Sequence, residues 1–190
     1  MTDTEVPKGL FYFPQVIPEE LVEKLIAWFE GKDADWKSIT SNLNSRKVMH
    51  FGFSYNYNSG TVTDPAPLIT DDLTKLIDIV AEKIDLPDGY KFNQCIINKY
   101  TPAQGISAHI DRQPQYGNII ACFTMGKGAI LEFSRVGYQK YSLYTEPGSL
   151  YIMTDESRSL WKHSMPGRLT DPGHGPRGTR YSITFRSVSV

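Results

Sequence analysis

Hydrophobic positions follow different spacings in the two halves of the chain. In the first half they recur at helical spacing and predict one helix that begins at Pro18 and ends before Gly31, and a second from about Asp71 to Lys83. The apolar positions are Leu21, Leu25, Ile26 and Phe29 in the first helix and Leu73, Leu76, Ile77, Val80 and Ile84 in the second. A short apolar run at residues 9–14 predicts a strand before them.

The second half of the chain is typical of strands separated by turns. β-prone runs bounded by Gly, Pro and Asn predict strands at residues 92–100, 119–125, 129–134, 138–143, 149–153 and 179–188. Helices followed by a series of strands indicate an α+β protein in which helices buttress one face of the strands.

A row of aromatic residues lies between the two predicted helices. Phe51, Phe53, Tyr55 and Tyr57 alternate with small or polar residues, so a single strand over residues 46–57 would gather four rings on one side. Two cations and a histidine precede the rings. Rings beside cations suit nucleobases and phosphates, and the alternative is a strand face packed on the helices.

Three side chains could form a mononuclear metal centre. On a strand, His109 and Asp111 would both face one cavity, while Ile110 would face the other side of the sheet. With His163 arriving from elsewhere, two imidazoles and one carboxylate would occupy one face of a metal and leave the opposite face open, as non-haem iron(II) requires for dioxygen. The alternative is a buried histidine satisfied within the core.

Two arginines share one face of the last predicted strand. Even spacing places Arg180 and Arg186, with Ser182 and Thr184 between them, on the same side. Buried guanidiniums are costly unless paired, and a small dicarboxylate held bidentately is a natural partner. The alternative is a solvated face of an edge strand.

Taken together, these motifs resemble the AlkB group of iron(II)- and 2-oxoglutarate-dependent dioxygenases over residues 10–188. That group has an N-x-Y strand before its metal triad and an R-x-N-x-T-x-R motif after it. The matching residues here are Asn98 and Tyr100, then His109, Asp111 and His163, then Arg180, Ser182, Thr184 and Arg186. The joint occurrence of the motifs, in the same order, is far more specific than any one of them.

The resemblance implies three cofactors, iron(II), 2-oxoglutarate and dioxygen, and a role for each motif residue. The triad would bind the metal. Asn98 and Arg186 would hold the metal-side carboxylate of 2-oxoglutarate, and Tyr100 with Arg180 would hold the distal one. Ser182 stands where the group often has Asn, so its reach toward the co-substrate is shorter. No residue outside the metal centre need act as a catalytic residue, since the metal carries the oxidative chemistry.

The resemblance also implies the fold, a double-stranded β-helix (a cupin-like jelly roll) buttressed by N-terminal helices. We expect residues 1–190 to form a single domain with its catalytic β core at about 92–188. A lid over the substrate is expected at about 44–60, where Arg46, His50 and Tyr55 would contact the substrate.

Residues 156–163 resemble the ligand-bearing loop of the group's wobble-uridine tRNA hydroxylases. There, Trp161 would line the substrate pocket or anchor the loop in the core. Arg158 would meet a substrate phosphate, or pair at the surface with Asp155 or Glu156. Farther on, His174 lies in a turn-rich loop and is expected to be exposed.

The residue that follows Asp111 bears on the substrate. Members of the group that repair alkylated DNA often carry a second acid there, whereas this chain has Arg112. The difference favours oxidation of a modified base in RNA over DNA. Animal wobble-uridine enzymes carry further RNA-binding and methyltransferase domains, so recognition is expected to come from this domain or from a partner protein. The alternatives are the same chemistry on a protein side chain or small molecule, and a non-catalytic β-barrel.

Composition fits an ordinary globular domain. The chain has 190 residues and a net charge of −1, which argues against a generally cationic nucleic-acid binder but leaves room for a local basic face. It has no membrane-length apolar run and no secretory signal, so we expect an intracellular protein, in the cytoplasm or nucleus, that acts as a monomer. Cys95 and Cys122 are isolated in apolar runs and are expected to be buried free thiols.

Overall fold

The computed structural model describes residues 5–42, 45–111, 113 and 115–189, apart from the side chain of residue 63. Arg112 and the first residue of the expected lid lie outside the described residues. The helices are α1 (Glu19–Glu30), α2 (Asp71–Lys83) and α3 (Asp155–Ser159). The strands are β1 (Leu10–Phe13), β2 (Lys37–Ser38), β3 (Lys47–Phe51), β4 (Phe53–Asn56), β5 (Thr61–Pro65), β6 (Gln94–Tyr100), β7 (Ile106–His109), β8 (Tyr116–Gly126), β9 (Ala129–Ser134), β10 (Tyr141–Thr145), β11 (Leu150–Met153), β12 (Lys162–Met165), β13 (Thr170–Asp171), β14 (Gly175–Pro176) and β15 (Arg180–Val188).

Two antiparallel sheets dominate the described part of the chain. The larger sheet has the strand order β1-β11-β8-β15-β6-β3-β2, and the smaller has the order β10-β9-β12-β7. Residues of β6, β8 and β11 form one apolar cluster with residues of β9, β10 and β12, so the two sheets pack face to face. This is the jelly-roll arrangement of the double-stranded β-helix, and the expected α+β fold is confirmed.

The N-terminal helices cover the outer face of the larger sheet. Their buried residues are Leu21, Leu25 and Phe29 on α1 and Leu73, Leu76 and Val80 on α2. Those residues share one core with the sheet residues Ile97, Phe123 and Ile183. Thr70 caps α2 by accepting the Leu73 N–H, and Gly31 follows the last residue of α1, as the sequence predicts. No helix among the described residues is long and apolar enough to cross a membrane.

Strand β15 lies at the centre of the larger sheet and is buried on both faces. It is bonded to β8 on one side and β6 on the other. Its odd-numbered residues Tyr181, Ile183 and Phe185 belong to the core under the helices. The even-numbered residues from Arg180 to Arg186 line a cavity between the sheets. A solvated edge strand, the alternative explanation of the two arginines, is therefore wrong.

The aromatic row is divided between two strands. The sequence predicts one continuous strand over residues 46–57, but β3 ends at Phe51 and β4 begins at Phe53. Gly52 lies between them with φ +75°, and its N–H donates to the Pro67 carbonyl at 2.7 Å. Phe51 therefore packs in the core under the helices, whereas Tyr55 lines a pocket on the other side of the sheet.

Gly52→Ala is expected to destabilise the protein by about 2 kcal/mol, because alanine resists a positive φ and meets a nearby carbonyl. A Cβ at this position would lie 1.8 Å from the Asn93 backbone oxygen. Gly89→Ala is the matched control, since Gly89 has φ +73° but open space where an added Cβ would lie. Urea unfolding of both variants measures the effect; equal losses would show that the backbone approach at Gly52 is unimportant.

The two cysteines have the environment expected from the sequence. Cys95 and Cys122 are both buried and free. Cys122 lies on β8, where its Sγ is 3.1 Å from the Ser182 hydroxyl and accepts a longer hydrogen bond from Thr184. The thiol thus packs beside the polar side chains of β15, on the same face of the sheet.

Candidate active site

Two histidines meet across neighbouring strands of the smaller sheet. His109 ends β7 and His163 lies on β12, and the two are direct partners in the antiparallel pairing. Their ring centroids are 4.3 Å apart. The sequence predicts a loop at residues 156–163, but α3 and the start of β12 occupy most of that segment. A strand position holds His163 more rigidly than a loop would.

Asp111 completes the group from just beyond β7. Its Oδ1 lies 3.3 Å from His109 Nε2 and 3.8 Å from His163 Nε2. One ligand atom from each of the three residues falls within 4.8 Å of the others, which is close enough to hold one metal ion. The expectation that Ile110 faces away is wrong: the strand ends at His109, strict alternation ends with it, and Ile110 lines the same pocket.

Arg186 forms an ion pair with the carboxylate of this group. Its Nε donates to Asp111 Oδ2 at 2.8 Å, and the two side chains are only 12% and 6% exposed. Burial alone would raise the pKa of Asp111, but the Arg186 guanidinium and the two imidazoles outweigh it and hold that pKa well below its usual range. The carboxylate is therefore ionised, as a metal ligand must be.

Both imidazoles can offer a nitrogen lone pair. His109 Nδ1 lies 2.7 Å from the Ser107 carbonyl oxygen, which can only accept, so a proton on Nδ1 would leave the Nε2 lone pair for a metal. Burial lowers the pKa of His163 to about 4, so that ring is neutral at pH 7. The donor set fits iron(II), with a soft enough pair of nitrogens and one hard oxygen.

A narrow cavity between the sheets adjoins the metal group. It is lined by Asn98, Tyr100, Arg180, Ser182 and Arg186, together with the triad. Arg180 is 4% exposed, and its Nη2 donates to the Thr124 hydroxyl at 2.9 Å. Every residue that the resemblance assigns to 2-oxoglutarate is thus brought to one cavity.

Two guanidinium nitrogens in this cavity have unused hydrogen-bonding capacity. Arg180 Nε and Arg186 Nη1 are buried and have no hydrogen-bond partner among the described residues. Buried donors are nearly always satisfied in folded proteins, so such a pair indicates a missing acceptor. A dicarboxylate with one acidic group at each arginine would supply it, which fits 2-oxoglutarate.

A wider pocket opens on the other side of the triad. Its volume is about 530 Å³, and its lining includes Tyr55, Tyr57, Tyr116, Arg46 and Arg186 as well as His109, Ile110 and Asp111. The Tyr55 and Tyr57 rings meet edge to face at 5.0 Å, and the Arg186 guanidinium lies 4.9 Å from the Tyr116 ring centre. Aromatic faces and cations thus surround the open side of the metal group.

The three other expected substrate residues lie outside this pocket. Arg158 is 2% exposed and donates to three backbone carbonyls, so neither a phosphate contact nor a surface ion pair is correct for it. Trp161 is 3% exposed and packs in the core between the sheets, near Tyr138. His50 is not part of the pocket lining, and its Nδ1 accepts the Tyr55 N–H. Burial lowers the pKa of His50 to about 4.

Two tyrosines that line this pocket, Tyr57 and Tyr116, are not among the substrate residues expected from the sequence. Tyr57 was part of the aromatic row, and its spacing of two from Tyr55 was a usable signal. Tyr116 precedes an apolar run and carries no local signal that it would line the pocket. His174 is exposed as expected, with its ring stacked on Tyr144 at 3.6 Å.

Comparison with known proteins agrees with the fold. Residues 27–186 match the family model of the 2OG-Fe(II) oxygenase superfamily. Protein L905 of Acanthamoeba polyphaga mimivirus is 37% identical over 143 residues, which cover 70% of this chain and 68% of L905. The solved structure of OsALKBH1 superposes with a TM-score of 0.67 at 17% identity, over 96% of this chain and 98% of that one.

A third similar protein indicates which family of the superfamily the chain resembles. The tRNA (carboxymethyluridine(34)-5-O)-methyltransferase ALKBH8 of Mus musculus is 30% identical over 208 residues, which cover 96% of this chain but only 31% of ALKBH8. The chain is thus a 2-oxoglutarate-dependent dioxygenase that uses iron(II) and dioxygen. Within that superfamily it belongs to the AlkB family. The chain spans about a third of the length of this mouse relative.

Arg180→Met is expected to weaken binding of N-oxalylglycine, an inert mimic of 2-oxoglutarate, by about tenfold to a hundredfold, because a charged hydrogen bond to a carboxylate is lost. Calorimetry on the Mn(II)-loaded protein measures the affinity. Thr124→Val removes the hydroxyl partner of Arg180 but keeps its charge, and should weaken binding much less. Equal affinities for wild type and Arg180→Met would exclude Arg180 from the co-substrate site.

Proposed function

We propose that this AlkB-type oxygenase oxidises a modified base in nucleic acid, with RNA favoured over DNA. The observation that carries the proposal is the pocket of about 530 Å³ beside the His109, Asp111 and His163 group. Its size suits one nucleotide base, and its tyrosine rings offer faces on which a base can stack. A base reaches such a pocket from a single strand, or after it is turned out of a duplex.

Residues on the inner side of the metal group would bind 2-oxoglutarate, and residues on its outer side would bind the substrate base. When bound, iron(II) together with 2-oxoglutarate and dioxygen supplies oxidation of a C–H bond, coupled to decarboxylation of 2-oxoglutarate to succinate. His109, Asp111 and His163 would hold the metal. On the inner side, Asn98 and Arg186 would bind the metal-side carboxylate of 2-oxoglutarate.

The distal carboxylate of 2-oxoglutarate and the substrate base would each contact a different set of side chains. Tyr100 and Arg180 would bind the distal carboxylate of 2-oxoglutarate, deep in the inter-sheet cavity, where Ser182 also lines the wall. On the outer side, Tyr55, Tyr57 and Tyr116 would hold the base by stacking, while Arg46 would meet its polar edge or a phosphate. The side chains orient the two reactants and exclude water, and no protein nucleophile is needed.

RNA is favoured by two features of the chain. Arg112 replaces the second acid that DNA-repair members often carry after the triad aspartate. In addition, the mouse relative that matches most of this chain is named for a tRNA uridine modification. Neither feature identifies the base, so both demethylation of an N-methyl group and stable hydroxylation of a carbon substituent are outcomes of the test.

The same oxidation on a protein side chain or small molecule is the second candidate function. The net charge of −1 favours it, because a protein that tracks nucleic acid is usually strongly cationic. The first candidate accommodates this charge if a partner protein supplies affinity. For that function we propose a monomeric domain over residues 1–190, acting in the cytoplasm or nucleus, with a lid at about 44–60.

Mass spectrometry of products tests the proposal. The protein is incubated with iron(II), ascorbate and 2-oxoglutarate and a panel of methylated RNA and DNA oligomers and modified tRNA, and succinate is measured in parallel. Loss of a methyl group from one oligomer, or gain of one oxygen atom, identifies the base. Succinate without any change in nucleic acid would instead reject the first candidate and direct the search to protein and small-molecule substrates.

A further inference from the structure

Arg46 contacts both the substrate pocket and the co-substrate cavity. Its Nε donates to Asn98 Oδ1 at 2.9 Å. Its guanidinium carbon lies 5.8 Å from the centre of the Tyr57 ring and 6.0 Å from that of Tyr100. Asn98 and Tyr100 line the inter-sheet cavity, whereas Tyr57 lies in the turn of the β4–β5 hairpin (residues 53–65) and lines the outer pocket.

The contact with Arg46 fixes the orientation of the Asn98 amide. A guanidinium has N–H donors and no acceptor, so the Asn98 atom that faces it must be the carbonyl oxygen. The NH₂ group of Asn98 is then available to the cavity, where a carboxylate could accept from it. A flipped amide would turn a carbonyl oxygen toward that carboxylate and repel it.

Charge gives a second reason for coupling. Asp111 pairs with Arg186, whereas Arg46 and Arg180 donate to the neutral oxygens of Asn98 and Thr124. A bound dicarboxylate therefore adds negative charge near two guanidiniums whose hydrogen bonds, among the described residues, go to neutral oxygens. The charge of the dicarboxylate attracts the Arg46 guanidinium and holds it in place, because electrostatic attraction in a desolvated cavity is weakly screened.

We propose that Arg46 is a positioning residue that couples co-substrate binding to ordering of the β4–β5 hairpin over the substrate pocket. A carboxylate bound to the Asn98 NH₂ group would hold that amide in one orientation. The amide oxygen would then restrain the Arg46 guanidinium through their hydrogen bond, and the guanidinium would restrain the Tyr57 ring that it contacts. By linkage, a hairpin held closed by a substrate strengthens co-substrate binding by the same factor. Co-substrate is then held most tightly when the substrate is in place.

Hydrogen–deuterium exchange on the Mn(II)-loaded protein tests the coupling. Saturating N-oxalylglycine is expected to slow exchange in residues 53–65 of the wild type. Arg46→Gln should bind N-oxalylglycine about tenfold more weakly, and at saturation it should show no slowing in the hairpin. Tyr57→Leu should also lose the slowing, with a smaller loss of affinity, because it breaks the chain of contacts one step farther from the ligand.

Lys47→Gln is the matched control. Lys47 is exposed and adjoins Arg46 on the same segment, but it does not line either site. Its loss of charge should leave both affinity and slowing unchanged. Wild-type slowing in saturated Arg46→Gln, or no slowing in the saturated wild type, would overturn the inference. The readout uses no nucleic acid, so oligomers that are never oxidised would reject the proposed function and leave this inference standing.

Discussion

His163→Ala is expected to abolish 2-oxoglutarate turnover, with succinate formation falling more than about 100-fold below wild type. His163 faces His109 across β7 and β12, and its side chain is only 12% exposed. Changes to residues that merely orient a metal ligand cost about 10-fold to 100-fold in affinity or activity, so loss of a ligand itself should cost more. Succinate is measured with iron(II), ascorbate and saturating 2-oxoglutarate.

The control for this loss is another histidine of the same chain. His174 is exposed on a loop and stacked on Tyr144, away from the metal group, so His174→Ala should keep wild-type turnover. Circular dichroism shows whether each variant is folded, and Mn(II) titration shows whether the loss lies in metal binding. Full succinate formation by folded His163→Ala would overturn the assignment of the metal ligands.

The alternation of residues along β15 could be predicted from sequence, because an apolar face and a polar face must point to opposite sides of a strand. Tyr181, Ile183 and Phe185 must be buried under the helices, so the residues between them must point to the other face. From the sequence alone, the two arginines on that face fitted either a buried anion site or a solvated edge strand. The pairing of β15 with both β6 and β8 excludes the edge strand, and only the family resemblance pointed to a co-substrate cavity before the sheet was known.

The break at Gly52 was not predictable in the same way. Hydrophobic periodicity continues through a glycine, and a glycine in a strand pattern can equally be extended or left-handed. What bends the chain is the approach of Gly52 to Asn93 and Pro67, two residues that are distant in sequence. For this reason the sequence grouped Phe51 with Tyr55, although the fold places them on opposite sides of the sheet.

Arg158 shows a related limit. Its neighbours in sequence, Asp155 and Glu156, suggest a surface ion pair, yet its three acceptors are the carbonyls of Asp111, Tyr116 and Gly117, about 40 residues away. A guanidinium can satisfy several carbonyls in one plane, and such a role leaves no pattern in the local sequence. Only the packing of α3 against the start of β8 reveals it.

Arg158→Met is expected to lower the free energy of unfolding by about 3 kcal/mol, because three hydrogen bonds from a charged donor are lost and their carbonyls remain buried. Relief from burying the guanidinium, which lowers the pKa of Arg158, offsets part of that loss. Urea unfolding measures the change. Arg135→Met is the control, since Arg135 pairs with Glu156 at a more exposed position and should cost less than about 1 kcal/mol.

Arg158→Met should also weaken metal binding, by about tenfold or more. Arg158 holds the backbone of Asp111 at 2.8 Å and that of Tyr116 at 3.2 Å, so one side chain fixes both a metal ligand and a wall of the substrate pocket. Mn(II) affinity, measured well below the unfolding transition, separates this effect from stability. If Arg158→Met loses stability but keeps wild-type Mn(II) affinity, Arg158 supports the fold alone; if both fall while Arg135→Met is unchanged, the buried guanidinium sets the position of Asp111.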